Sequence, residues 1–150
     1  MVDAVPAAIG HAEWSTYYAP SPWSAPFVDE LALGALVGPH APTHADGLAW
    51  GLFLQAPRTE CPPHAHAAAE VYVPVAGEAA FSSVASAPFV RQRPGDAVVH
   101  DPDVAHAIST GGSPLLAVFA WRGDVTAPPW NRRDMADTDE PRTYPPLIGA

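Results

Sequence analysis

Lysine does not occur in this chain, and its positive charge rests on seven arginines. Sixteen Asp and Glu oppose them, giving a formal net charge of −9 with His neutral. Nucleic-acid binding and docking on an anionic membrane both need a basic surface, so this balance argues against either partner. Cysteine is reduced to Cys61, which excludes an intramolecular disulfide framework and a Cys-based zinc finger and points to a cytoplasmic location. No apolar run approaches the roughly 20 residues of a membrane span. The opening MVDAVPAAIGHAEW lacks the basic flank and apolar stretch of a signal peptide. Charged residues make up 15% of the chain, against about 25% in a typical soluble protein.

Proline and glycine are plentiful. The 150 residues include 19 Pro and 11 Gly, which leaves little room for long helices and favours a loop-rich all-β domain. Residues 1–44 read as an N-terminal segment, irregular or short-helical, whose Trp14, Tyr17, Tyr18, Trp23 and Phe27 pack across the domain. Within it, Val28–Val37 reads as a short helix or a strand, with a helix turning into a loop at Gly38-Pro39 the favoured form. From Leu48 the pattern changes. LAWGLFLQA, EVYVPVAG, EAAFSSVAS and SPLLAVFAWRG alternate or run apolar between turn signals, as strands do. Six or seven short strands over 45–125 predict a sandwich or barrel. Residues 126–150 read as a Pro-rich C-terminal tail.

The chemistry concentrates in His64-Ala-His66-Ala-Ala-Ala-Glu70-Val-Tyr72, with Gly77 after it and His106 about forty residues on. Side chains two apart on an extended chain share a face. His64 and His66 therefore reach one metal at about 2.0–2.2 Å, and Glu70 and Tyr72 share a face in the next strand. His106 comes from another strand that a barrel brings opposite. Three imidazoles and one carboxylate suit one divalent ion, Zn2+, Fe2+, Mn2+ or Ni2+, and not a soft thiolate metal.

This spacing resembles that of the cupin superfamily. Its first motif runs His-x-His, three residues, Glu, six residues, Gly, and His64, His66, Glu70 and Gly77 fit it. Its second runs Gly, five residues, Pro-x-Gly, two residues, His, three residues, Asn. Gly95 and His106 are in register with it, while Asp101, Asp103 and Thr110 replace its Pro, Gly and Asn. The resemblance implies a double-stranded β-helix, or jelly-roll, barrel with His64, His66, Glu70 and His106 as ligands. His11, His40, His44 and His100 match no motif and read as surface or packing residues. Cys61 reads as a residue of the loop before the site and not as a catalytic thiol. Asp96, Asp101 and Asp103, set among Gly and Pro, read as solvated turn residues.

Within the superfamily the chain resembles the dimethylsulfoniopropionate lyases. The likeness rests on PPHAHAAAEVYVPVAG, GDAVVHDPDVAHAIST and SPLLAVFAWRGD, and above all on the step from Glu70 to Tyr72. It covers residues 36 to 124. It implies β-elimination of a small-molecule substrate to dimethyl sulfide and acrylate, with Tyr72 as the base. An ordinary tyrosine titrates near about 10, and a divalent cation nearby stabilises its phenolate. The sulfonium calls for an aromatic face; Trp121 is one candidate and Trp50 a second, each with core packing as the plainer role. Tyr72 too has core packing as its plainer role. Arg58 and Arg122 either grip the substrate carboxylate or sit outside the barrel. Two other readings stand beside the lyase: a dioxygenase or isomerase acting on a small carboxylate or ketone, and a non-catalytic small-molecule-binding cupin. The superfamily resemblance also implies a homodimer.

Overall fold

A computed structural model describes residues 4–16, 18, 22–83 and 87–131. A short helix, α1 (Val5–Ile9), and a helical turn at Val28–Glu30 are its helical elements. The strands are β1 (Glu13–Ser15), β2 (Leu31–Gly38), β3 (Thr43–His44), β4 (Leu48–Gln55), β5 (Glu60–Ala65), β6 (Ala69–Ala76), β7 (Ala79–Ser82), β8 (Val90–Gln92), β9 (Val98–His100), β10 (His106–Thr110), β11 (Leu115–Arg122) and β12 (Trp130–Asn131). They form two sheets. The larger runs β1-β2-β4-β11-β6-β9, with β3 beside β2; the smaller runs β12-β5-β10-β7-β8. All pairs are antiparallel except β2 with β3. This is the all-β jelly-roll expected of a cupin.

Alternation along each strand builds the core. On β11, Leu115, Ala117, Phe119 and Trp121 are buried, and the residues between them are less so. Phe53, Phe81 and Ile108 meet them from β4, β7 and β10. The other face of the larger sheet is largely apolar as well: β2, β4, β6 and β11 turn no acidic side chain outward, and Arg122 at the end of β11 is their one charged residue there. Leu48, Trp50, Leu54 and Val99 are exposed there.

Two segments differ from their sequence reading. Leu31–Gly38 is a strand, and only the three residues before it are helical. Leu and Ala favour a helix locally, but pairing with β4 on one side and β1 on the other decides the outcome. Within 126–150, read as a tail, Trp130–Asn131 forms β12, which pairs with β5 at Ala65 and His64. The remainder of that tail, 132–150, lies outside the described residues, as does Tyr17. Tyr18 and Phe27 do pack inward, at 4% and 3% exposure. Tyr18 stands edge-on to Trp23, Phe27 and His64, with centroids 4.9, 5.4 and 5.8 Å away.

Gly77 and Asp103 mark the turns that the motifs require. Gly77 has φ +92, and a Cβ there would fall on the carbonyl oxygen of Pro114. Asp103 stands where the motif has Gly, and its φ of +62 explains that preference. Its N–H donates to the carbonyl of His66, 2.9 Å away, and so ties the turn to the chain just after β5. Gly77→Ala is expected to lower stability by at least about 2 kcal/mol, from backbone strain plus the clash. Urea unfolding measures it, and a loss below about 0.5 kcal/mol, the range of an ordinary surface change, would count against this account of the turn.

Candidate metal centre

The two sheets deliver different halves of one site. His64 is the last residue but one of β5, His66 follows that strand, and His106 opens β10, paired with His64. Glu70 and Tyr72 come from β6 on the facing sheet. The donor atoms of His66, Glu70 and His106 lie within 4.8 Å of one another, and all three residues are buried. His64 stands outside that group but against it, its ring 4.3 Å from that of His106. Of the four expected ligands the structure thus brings three together and sets the fourth alongside.

Hydrogen bonds fix how the rings face. Nδ1 of His64, His66 and His106 each lies 2.9 Å from a backbone carbonyl two residues away, at Pro62, Ala68 and Val104. A carbonyl only accepts, so each Nδ1 carries the hydrogen. In a neutral ring Nε2 then keeps its lone pair, the form in which imidazole binds a metal.

At Glu70 these rings converge. Its Oε2 lies 3.3 Å from His66 Nε2 and 3.0 Å from His106 Nε2. The His106 contact is close but off the hydrogen-bond direction, and that nitrogen has no hydrogen-bond partner. His66 faces acceptors at both nitrogens, the Ala68 carbonyl and the Glu70 carboxylate. A neutral ring has one N–H to give, so the edge facing Glu70 calls for a cation, either a second proton or a metal ion. The donor set therefore fits a divalent metal.

The acid–base directions follow from burial and proximity. Burial opposes the charged form of Glu70, but hydrogen bonds from His100 and His66 and the closeness of His106 outweigh it and hold the carboxyl well below its usual range. Burial also opposes charge on His66; the hydrogen bond and charge of Glu70 prevail and raise its pKa. Burial and repulsion from His106 hold His64 well below the ordinary histidine value.

His100 is the residue that the sequence reading set aside. Its β9 strand alternates buried Val98, exposed Val99 and buried His100. Its Nδ1 lies 3.3 Å from Glu70 Oε2, and its ring stacks on His106 at 4.0 Å and 7°. Its Nε2 is buried without a partner. Burial lowers its pKa, partly offset by the Glu70 hydrogen bond. The alternation around Val99 was the available signal, but three residues make a weak pattern.

Trp121 is buried on the same face, and its indole N–H donates to Glu70 Oε1. Its ring lies 5.0 Å from that of His66. Tyr72 is buried one row along from Glu70, between Phe53 at 5.2 Å, Phe81 at 5.7 Å and His100 at 6.1 Å. Trp50 does not join them. Ala49 is the partner of Trp121 across β4 and β11, so the next residue, Trp50, points to the opposite face and is 41% exposed. Arg58 and Arg122 are exposed, as are Asp96, Asp101, Asp103, His11, His40 and His44.

Cys61 lies on β5 and not in a loop before the site, because the chain pairs with β10 from Glu60 on; it is buried, 3.6 Å from His64 Nδ1 and 3.9 Å from the Tyr18 hydroxyl. Burial pushes its thiol up to about 12, a hydrogen bond from Tyr18 works the other way, and the charges of Glu70 and Glu60 add to the rise.

Comparison with known proteins agrees with this geometry. The dimethylsulfoniopropionate lyase family profile matches residues 1–117. The dimethylsulfoniopropionate lyase DddQ of Ruegeria pomeroyi is 36% identical over 127 residues, 85% of this chain and 63% of that protein. This chain thus spans less than two thirds of that relative's length. The crystal structure of the Ruegeria enzyme superposes with a TM-score of 0.76 over 86% of this chain and 65% of that one. A second solved structure of this activity, from a study of the lyases RdDddP and RnDddQII, is 28% identical, with a TM-score of 0.72 over 86% and 66% of the two chains. The polyketide cyclase RemF of Streptomyces resistomycificus, at 18% identity, with a TM-score of 0.62 over 75% of each chain, shares the fold.

A buried thiol of this kind is expected to be inert. At neutral pH, Cys61 in the native protein should react with Ellman's reagent at least about 1,000-fold more slowly than in the urea-unfolded chain, where its pKa returns to about 8.5. Comparable rates in the two states would contradict the placement.

Proposed function

We propose that this chain, which belongs to the dimethylsulfoniopropionate lyase family, is a metal-dependent carbon–sulfur lyase that converts dimethylsulfoniopropionate to dimethyl sulfide and acrylate. The observation that carries the proposal is the pairing of Glu70 and Tyr72 on one inward face, opposite His66 and His106. His66, Glu70 and His106 are the residues to hold the ion, with His64 beside them. The ion, Zn2+, Fe2+, Mn2+ or Ni2+, would supply a Lewis acid toward the substrate carboxylate and so acidify the neighbouring C–H bond.

The chain's own residues supply the remainder. Tyr72, as phenolate, takes the proton from the carbon next to the carboxylate. The C–H electron pair becomes the new carbon–carbon double bond. The carbon–sulfur bond breaks, and its pair leaves on sulfur as neutral dimethyl sulfide. Acrylate remains, and the proton stays on the Tyr72 oxygen until solvent takes it. Phe53 and Phe81 wall Tyr72 with apolar surface, which limits competing water. Trp121, tied at its N–H, offers a ring face to the sulfonium, an attraction of roughly 0.5–2 kcal/mol.

We also infer a homodimer. Its support is the outer face of the larger sheet, where a chain of net charge −9 presents Leu48, Trp50, Leu54 and Val99 and no acidic side chain from its four central strands. A second copy meets the least repulsion there. The cytoplasmic assignment rests on the single cysteine, buried and free.

Headspace detection of dimethyl sulfide tests the reaction. Release is expected from protein loaded with one of these ions, lost on chelation and restored by reloading. Tyr72→Phe should lower kcat by about 100- to 10,000-fold, the usual contribution of a general base, and His106→Ala should lower metal content as well. No release from protein shown to hold metal would overturn the substrate assignment. Light scattering tests the dimer: the wild type should have twice the chain mass and Trp50→Glu the single mass, whereas a monomeric wild type refutes it.

A further inference from the structure

One row of the larger sheet carries three of the polar residues at the site. The register pairs Trp121 on β11 with Glu70 on β6, and Glu70 with His100 on β9. All three side chains face inward and are buried at 5%, 2% and 1% exposure. The two flanking residues divide the carboxylate between them. Trp121 donates its indole N–H to Oε1. His100 lies 3.3 Å from Oε2 through Nδ1, which must carry the hydrogen because a carboxylate only accepts. The two sheet neighbours therefore hold one oxygen of Glu70 each, while the facing histidines approach only Oε2.

We infer that Trp121 and His100 are positioning residues, a cross-strand clamp that presents Glu70 to the bound metal through Oε2 alone. This rests on the proposal that the site holds a divalent ion. With Oε1 tied to the indole, Oε2 is the oxygen turned to His66 and His106. His100 also steadies a second ligand, since its ring lies flat on that of His106. Residues that hold ligands in place typically change metal affinity about 10- to 100-fold when removed.

The test measures zinc affinity by competition with a chromogenic chelator, and the visible spectrum of the cobalt-substituted protein, which reports coordination number. Trp121→Phe keeps an aromatic ring but removes the donor. His100→Phe keeps the stack on His106 but removes the donor to Glu70, and His100→Asn returns an N–H near the position of Nδ1. The two Phe variants should each weaken zinc binding about 10- to 100-fold. Trp121→Phe should also change the cobalt spectrum as Oε1 becomes free to bind, and His100→Asn should stay closer to wild type than His100→Phe. Melting curves of the metal-free proteins establish folding first. The two Phe variants probe the clamp from different strands, so one folded variant is enough. Zinc affinity within about threefold of wild type, with an unchanged cobalt spectrum, overturns the clamp and leaves the metal site standing. A wild type that binds neither ion overturns both.

Discussion

A single buried negative charge organises this protein. Glu70 sits at 2% exposure in the middle of the barrel, and a carboxylate taken out of water without compensation would cost several kcal/mol. No arginine among the described residues comes to meet it: Arg58, Arg91, Arg93 and Arg122 are all exposed. With lysine absent, compensation falls to imidazoles, one indole and, in the proposed holoenzyme, a cation. Three histidines approach Oε2 and one tryptophan takes Oε1. Each of these side chains is buried on a strand or beside one, so backbone ladders, not flexible loops, determine where the charge is met.

Two geometric devices do this work. The first is the period of two along a strand, which sets Glu70 and Tyr72 on one face. The second is antiparallel register, which lines up Trp121, Glu70 and His100 across three strands and pairs His106 with His64 across two. The Nδ1 contacts of His64, His66 and His106 to carbonyls two residues away then orient the rings.

The first device is local and can be read from a sequence; the second is not. The jelly-roll and the gathering of His66, Glu70 and His106, with His64 alongside, were legible because motif spacing carries them. The inward placement of Tyr72 followed from parity with Glu70. Trp121 stood ahead of Trp50 in the sequence reading, but only the pairing of Ala49 with Trp121 shows that Trp50 faces outward. His100 escaped because its role depends on β9 lying beside β6, and its strand is too short to show a period. Leu31–Gly38 misled for a related reason: its Leu and Ala suit a helix, and only its partners in the sheet make it a strand. The departures in the second motif were harmless for reasons visible only in three dimensions. Asp103 tolerates the backbone conformation of the glycine it replaces. The Thr110 hydroxyl finds the carbonyls of Ala56 and Thr59 at 2.6 and 3.1 Å.

The site also straddles the seam between the sheets. His106 belongs to the smaller sheet, His66 follows a strand of that sheet and Glu70 belongs to the larger, so an ion bound by all three would act as a rivet through the sandwich. Any motion that slides or parts the layers must stretch its bonds, and the ion can leave only when they separate. Metal exchange in such a protein is therefore a gauge of how often the barrel breathes, and a tightly loaded barrel is mechanically a different object from an empty one.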